Sequence, residues 1–62
     1  MKLKIEIKMD NAAFEDVNGT EVARILRKFA EDMDGMALSA GIPIATFYDI
    51  NGNRVGEAKV TR

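Results

Sequence analysis

Residues 49–53, with the sequence DINGN, carry the side chains best suited to chemistry. Asp and Asn oxygens bind calcium, and glycine-rich loops hold phosphate, so both kinds of site have to be considered. A calcium loop of the EF-hand type starting at Asp49 needs Gly at its sixth position and Glu at its twelfth. Counted from Asp49, the glycine of this segment, Gly52, is at the fourth position rather than the sixth, and the twelfth position is Val60 rather than Glu. A phosphate loop ends in Lys and Ser or Thr before a helix, and that ending is missing. We therefore interpret the segment as a tight hairpin turn, in which the linker NGN, residues 51–53, supplies the positive-φ residues.

The residue types that usually perform catalysis are scarce in this chain. It contains no His and no Cys, so it has neither a general base that titrates near neutral pH nor a thiol nucleophile. The hydroxyl of Ser39 has no activating base that the sequence identifies. We therefore expect that the protein is not an enzyme and that it has no catalytic residues, no bound metal and no cofactor.

Length and composition predict one small globular domain over residues 1–62. The chain is 47% hydrophobic and 31% charged, which is typical of a folded rather than a disordered protein. Nine basic residues against ten acidic ones argue against a nucleic-acid binder that uses its whole surface. No apolar run approaches the roughly 20 residues of a membrane span. The start, MKLKIEIKMD, lacks a signal-peptide core, so we expect a cytoplasmic protein.

Three segments have the patterns of strands. Residues 2–9 alternate apolar and polar side chains, which is typical of a strand with one face in solvent. Residues 44–50 are rich in β-branched and aromatic side chains. Residues 54–61 also read as a strand, but Val55 is out of phase with the later apolar positions. Gly56 therefore indicates a bulge that resets the register.

Residues 19–33 have the apolar stripe of an amphipathic helix. Asn18 followed by Glu21 predicts an N-cap with an acid that reaches back to it. We place the helix end near Asp34, followed by a loop or a loosely helical turn over residues 36–41. A helix that continues through that segment remains the alternative, because it would keep acids away from the helix C-terminus.

Together these elements predict an α+β fold of the order β-α-β-β. One helix packs on a three-stranded sheet with strand order 1-3-2, and the other face of the sheet stays uncovered. Phe14 and Val17 are expected to anchor the first connection in the core. The predicted core positions are Leu3, Ile5, Ile7, Val22, Ile25, Leu26, Phe29, Met33, Phe47 and Val60.

The uncovered sheet face is a candidate binding surface. Basic and aromatic side chains on an open sheet are typical of small folds that bind single-stranded nucleic acid. Glu6 and Glu57 dilute the positive charge, so a solvated face with cross-strand ion pairs is the alternative. The candidate residues on this face are Lys2, Lys4, Lys8, Tyr48 and Lys59.

The segment GMALSAGIPI is a second candidate surface. Methionine recurs on adaptable binding surfaces, and a small core leaves apolar side chains exposed. Met36, Leu38 and Ile42 would then form a partner or dimer surface. Equally, they could pack under the end of the sheet.

Three segments, IEIKMDNAAFED, EVARILRKFA and DINGNRVGEAKV, resemble a family of small, largely uncharacterised proteins of tailed bacteriophages and prophages. The resemblance covers most of the chain and departs mainly around MALSAGIPIATFY. It brings no catalytic or ligand motif, so no site residue is carried over. It implies only a setting, that of an accessory viral protein made in the host bacterial cytoplasm.

The leading functional expectation is a non-enzymatic accessory protein that binds another protein. A host or anti-phage defence component is the expected kind of partner. The alternative is a weak binder of single-stranded nucleic acid that uses the lysine-bearing sheet face. A homodimer is a third hypothesis.

Overall fold

The computed structural model describes residues 1–41 and 43–62. The elements in chain order are β1 (Lys2–Ile7), a 3₁₀ turn (Ala12–Phe14), α1 (Asn18–Met33), β2 (Pro43–Tyr48) and β3 (Arg54–Thr61). The sheet has the strand order β1-β3-β2, and the central β3 is antiparallel to both neighbours. The predicted α+β class, element order and strand order are therefore confirmed.

Helix α1 ends where the sequence predicts. Its last residue is Met33, Asp34 is the C-cap, and Gly35 follows with a φ of 84°. Glycine adopts this left-handed conformation without a Cβ penalty, so it is well suited to ending a helix. Residues 36–41 form a loop and a turn rather than more helix. Within the described part of the chain, no helix is long and apolar enough to cross a membrane.

The predicted N-cap of α1 is wrong by one residue and in its chemistry. Val17 is the N-cap, without a side-chain hydrogen bond, and Asn18 is already helical. Asp16, just before it, has a φ of 54°, which turns the chain into the helix. The carboxylate of Glu21 does not reach back to the helix start, because it binds Arg24 further along α1 and the backbone N–H of Ile50.

The core lies between α1, the 3₁₀ turn and the central part of the sheet. The rings of Phe29 and Phe47 meet edge to face, with centroids 5.3 Å apart and planes at 76°. This geometry is favourable beyond the apolar area that it buries. The buried hydrophobic side chains are Phe14, Ile25, Phe29, Phe47, Val55, Ala58 and Val60.

Strand β1 contributes less to the core than the sequence predicts. Leu3 and Ile5 are each 43% exposed, and Leu26 is also exposed. The reason is that α1 packs mainly against β2 and the 3₁₀ turn, which leaves the β1 side of the sheet largely without a covering layer. Val17 is also exposed rather than an anchor. Three other predicted core residues, Ile7, Val22 and Met33, pack against the core while partly buried.

Gly56 lies at the predicted irregularity of β3. It is opposite Ile7 on one side and Phe47 on the other, and the β2 pairing shifts register immediately afterwards. The shift turns Val55 toward the core with Ala58. A Cβ at position 56 would overlap the carbonyl oxygen of Glu6 and lie 2.8 Å from its carbonyl carbon. Only glycine therefore allows β1 to approach β3 this closely.

Candidate functional site

The DINGN segment is a hairpin turn, as predicted, and Asp49 organises it. The Gly52 N–H donates to the Asp49 carbonyl at 3.0 Å, and the Asp49 N–H donates to the Asn53 carbonyl at 2.9 Å. Gly52, with a φ of 85°, has the only positive φ in this loop. This pattern is that of a three-residue hairpin loop with one left-handed glycine. The expectation that the asparagines also supply positive φ is wrong.

The Asp49 side chain is buried and accepts four hydrogen bonds. Its Oδ1 receives the backbone N–H groups of Asn51 and Asn53, each at 2.9 Å. Its Oδ2 receives the side-chain amides of Asn11 at 2.9 Å and Asn53 at 3.2 Å. An ionised carboxylate offers about four acceptor positions, so these donors occupy all of them. The hairpin is thereby tied to the chain just before the 3₁₀ turn.

Glu21 forms the second buried carboxylate site, on the first turns of α1. Arg24 binds it through two nitrogens, with Nε 2.7 Å from Oε1 and Nη2 3.0 Å from Oε2. The N–H of Ile50 donates to Oε2 at 2.8 Å. Arg24 also donates to the carbonyl of Tyr48 at 3.2 Å. This pair therefore attaches the N-terminal half of α1 to the end of β2.

Both buried carboxyl groups are held in the ionised form. The pKa of Glu21 is lowered chiefly by its hydrogen bonds with Arg24, against the opposing effect of burial. At Asp49 burial alone would raise the pKa, but the donors from Asn53, Asn11 and Asn51 together outweigh it and lower the pKa. The perturbed pKa values thus follow from structural hydrogen bonds.

Acidification is therefore expected to destabilise the fold. A carboxyl group with a lowered folded pKa stabilises the protein above its unfolded pKa, and this contribution is lost as pH falls through the folded pKa. We expect the thermal midpoint to be level between pH 5 and 7 and to decline below about pH 4. Circular dichroism melts at a series of pH values measure this. The Glu21→Gln, Asp49→Asn double variant should show a shallower acid decline, and a wild-type midpoint unchanged down to pH 2 would contradict the account.

The face of the sheet opposite α1, here called the open face, carries charges in like-signed rows. Lys4 lies directly opposite Lys59, and we call this pair the lysine row. Glu6 lies directly opposite Glu57, and we call this pair the glutamate row. Like charges at directly opposed positions on adjacent strands destabilise a sheet. The directly opposed positions of the open face therefore lack the cross-strand ion pairs that the sequence suggests as the alternative, and the ion pair seen on this face, between Arg54 and Glu57, lies within β3.

The five predicted residues of this face do not form one patch. Lys4 and Lys59 adjoin each other, and Lys2 lies one row further along, opposite Thr61. Lys8 follows the end of β1, beyond the glutamate row. Tyr48 is 53% exposed and lies opposite Arg54, also beyond that row.

The open face is positive although the whole chain is slightly negative. It holds two carboxylates, those of the glutamate row, which leaves eight of the ten acidic residues elsewhere. Arg54 lies 3.7 Å from Glu57 and partly neutralises it. The strand register places four basic residues on this face, Lys2, Lys4, Arg54 and Lys59, and Lys8 follows the end of β1. The basic residues of the open face therefore outnumber its acidic ones.

Comparison of the chain with protein-family models, curated proteins and solved structures finds no match. The resemblance to small phage proteins therefore stays a prediction.

The structure describes two of the three residues of the second predicted surface. Met36 is 51% exposed and Leu38 is half-buried, on a segment without regular secondary structure. Ile42 lies outside the described residues, so the surface stays a prediction.

A cleft of about 180 Å³ lies between α1 and β2. It is lined by apolar core atoms and by Arg24, Lys28 and Asp32. Ligand pockets usually have volumes of about 300–1,000 Å³, so this cleft is small for an organic ligand. Among residues 1–41 and 43–62, no group of three acidic side chains converges as a metal site.

Sequence reasoning missed the buried carboxylate network. The Asp49-x-Asn51-x-Asn53 spacing is a recognisable Asx-turn signal, because an Asp side chain bonds the backbone two residues onward. Glu21 and Arg24 also have the spacing of a helical ion pair. Their tertiary partners, Asn11 and Ile50, leave no local trace in the sequence.

Proposed function

We propose that this chain is a non-enzymatic binding module that contacts another protein through the open face of its sheet. The observation that carries the proposal is the pairing of Lys4 with Lys59 and of Glu6 with Glu57. Each pairing costs some stability, on the order of a few tenths of a kcal/mol. Exchanging the charges of Lys59 and Glu57 would remove both repulsions. These like-charge pairings destabilise the isolated fold. They are most simply explained by a partner protein that presents acidic groups to the lysine row and basic groups to the glutamate row.

The alternation of rows favours a protein partner over nucleic acid. A phosphate backbone presents negative charge throughout, so the glutamate row would repel it. A protein surface can place acidic groups against Lys4 and Lys59 and basic groups against Glu6 and Glu57. Such complementarity sets the register of a complex and rejects other partners.

The chemistry of the buried groups supports a non-enzymatic role. Asp49 and Glu21 have the perturbed pKa values that often mark active sites. Donors of the same chain, however, take all four acceptor positions of Asp49 and three of the four of Glu21. A general base needs a free oxygen within reach of the proton it removes. Their arrangement supports a role in holding the hairpin against α1.

The resemblance to small proteins of tailed phages supplies the biological setting of the proposal. In that setting the protein acts in the host bacterial cytoplasm as an accessory factor. Its partner is a host or anti-phage defence component, which it inhibits by covering part of that component's surface. A small domain with one charged face is suited to covering a surface.

Capture from lysates of phage-infected cells tests the proposal. The bait is the wild-type chain, compared with Lys59→Glu and with Arg27→Glu as the control. Both variants change the net charge equally, but Arg27 is on α1, away from the open face. We expect a partner that binds wild type and Arg27→Glu alike and binds Lys59→Glu roughly tenfold more weakly. Partners captured equally by all three baits would remove the support for the open face.

A second candidate function is weak binding of single-stranded nucleic acid. The observation that favours it is the positive charge of the open face, where four basic residues accompany two acidic ones. Anisotropy of a labelled oligonucleotide at low salt measures the binding, which should weaken steeply as salt is added. Lys59→Glu should weaken this binding and Glu57→Lys should strengthen it. Unchanged anisotropy with protein in large excess rejects this function.

A further inference from the structure

We propose that two copies of this chain pair through the free edges of their β1 strands, antiparallel, with Ile5 at the two-fold axis. The pairing joins the two sheets into one of six strands, with both copies of α1 on the same face. This inference goes beyond the proposed function, because it concerns what pairs with the edge of β1, although Lys4 and Glu6 of the open face set its register. Its occupant is a second copy of the chain.

Within residues 1–41 and 43–62, the outer edge of β1 offers a regular set of backbone groups without partners. The N–H of Lys8 donates to the Val55 carbonyl at 2.7 Å, so it points toward β3. The backbone groups of consecutive residues in a strand point alternately to the two sides, and the β1–β3 register has no break. The N–H and C=O groups of Leu3, Ile5 and Ile7 therefore point away from β3. They form the free edge.

The side chains above this edge lack a complete covering layer. Leu3 and Ile5 are opposite Val60 and Ala58, which are buried, so they lie on the α1 side of the sheet. They are nevertheless 43% exposed, because α1 lies toward β2. A second β1 alongside would bring apolar side chains against both. Burial of such half-exposed aliphatic groups provides a driving force for association.

The charges on the other side of β1 select the register. With Ile5 on the two-fold axis, Lys4 of each copy lies opposite Glu6 of the other, which gives two opposite-charge pairs. If Lys4 lay on the two-fold axis, the two Lys4 side chains would lie opposite each other. If Glu6 lay on the axis, the two Glu6 side chains would lie opposite each other. Of these three registers only the first avoids a like-charge pair at the centre, and like pairs there are destabilising. A register centred on Ile7 would also place opposite charges together, Glu6 with Lys8, but it would pair almost all of β1 with residues beyond the end of the strand.

The same register satisfies the free backbone groups. Leu3 pairs with Ile7 of the other copy, Ile5 pairs with Ile5, and Ile7 pairs with Leu3. Each of these pairs exchanges two hydrogen bonds, and their side chains all lie on the apolar side. Lys2 and Lys8 meet at the ends of the strand, where their long side chains can diverge into solvent. Lysines on an edge generally discourage pairing, but here only the end positions oppose it.

Sedimentation of the purified chain over a concentration series tests the dimer, without any partner present. We expect a reversible monomer–dimer equilibrium. Lys4→Glu should weaken the dimer roughly tenfold, since both attractive pairs become repulsive. The double exchange Lys4→Glu with Glu6→Lys should restore it, because each copy again places opposite charges together. A wild-type chain that stays monomeric at every concentration overturns the proposal, as does a dimer that the single change leaves intact.

Disulfide trapping tests the register, and the absence of Cys from the chain gives a clean background. Ile5→Cys should form a covalent dimer under mild oxidation, because directly opposed residues have Cα atoms about 5.5 Å apart. Leu3→Cys should not link to itself, because the two copies of position 3 lie about 14 Å apart in this register. Equal trapping at both positions, or trapping at position 3 alone, overturns the proposal. Circular dichroism of each variant checks that its fold is intact.

Discussion

Replacing Gly56 with alanine should remove most of the stability of the fold. The added Cβ would overlap the backbone of Glu6 rather than a movable side chain, so β1 would have to separate from β3. We expect a loss of about 3 kcal/mol, the upper part of the usual range for overpacking. A domain of this size has only roughly 3–5 kcal/mol in total. Urea denaturation followed by circular dichroism measures the loss.

Gly19→Ala is the matched control for this substitution. Gly19 lies in α1 with no atom within 4 Å of a Cβ built on it. Alanine is favoured over glycine in a helix by up to about 1 kcal/mol, so this variant should be equal to or more stable than wild type. Equal effects of the two substitutions would contradict the close approach of β1 at Gly56.

Replacing Asp49 with alanine should have the second largest effect. It removes the acceptor of four donors, two of them backbone N–H groups of the hairpin, and leaves a space without hydrogen-bonding partners. We expect the thermal midpoint to fall by roughly 10 °C. The hairpin should also lose its attachment to Asn11. Thermal unfolding followed by circular dichroism provides the measurement.

Asp32→Ala serves as the control for the loss of a carboxylate. Asp32 pairs with Lys28 at 3.3 Å on the exposed side of α1, and such surface ion pairs contribute little. The thermal midpoint of Asp32→Ala should stay close to that of wild type. Asp49→Asn should fall between the two, because it keeps one acceptor oxygen but turns an amide toward other amide donors. A midpoint for Asp49→Ala equal to that of Asp32→Ala would contradict the role assigned to Asp49.

The parts of the fold that depend on local pattern could be predicted from the sequence. The alternation of β1, the stripe of α1 and the Asn-Gly turn each indicate an element by themselves, and Gly35 marks the helix end. The strand order follows because a helix returns the chain to its starting end, after which a hairpin brings β3 between the other two strands. The irregularity at Gly56 was visible as a break in alternation.

The lateral position of α1 could not be predicted in the same way. Leu3 and Ile5 have the pattern of core residues and do point to the α1 side of the sheet. Their exposure depends on where the helix lies across the sheet, which is set by the contact of Phe29 with Phe47 and by the attachment of Arg24 to Tyr48. The periodicity of a strand indicates which of its faces is apolar, but it does not indicate how much of that face the packed helix covers.

At the candidate site, too, some features could be predicted from the sequence and others could not. Alternation alone placed the lysines and Glu6 on the open face, and the exposure of Tyr48 agrees with its predicted outward position. The rows depend on register, since a shift of two residues would have put Lys4 opposite Glu57. In that register Gly56 closely approaches β1, a contact between residues distant in sequence. The functional interpretation therefore rests on a detail that only the folded chain reveals.

The affinity of Glu57→Lys for the captured protein partner tests the central claim most directly. This variant removes the glutamate row and makes the open face almost uniformly basic, and Glu57 lies on β3, away from the β1 edge. If the rows match a protein surface, binding should weaken roughly tenfold while the circular dichroism spectrum stays unchanged. Unchanged or tighter binding to that partner would contradict the claim that the alternating charges on this face determine what the protein binds.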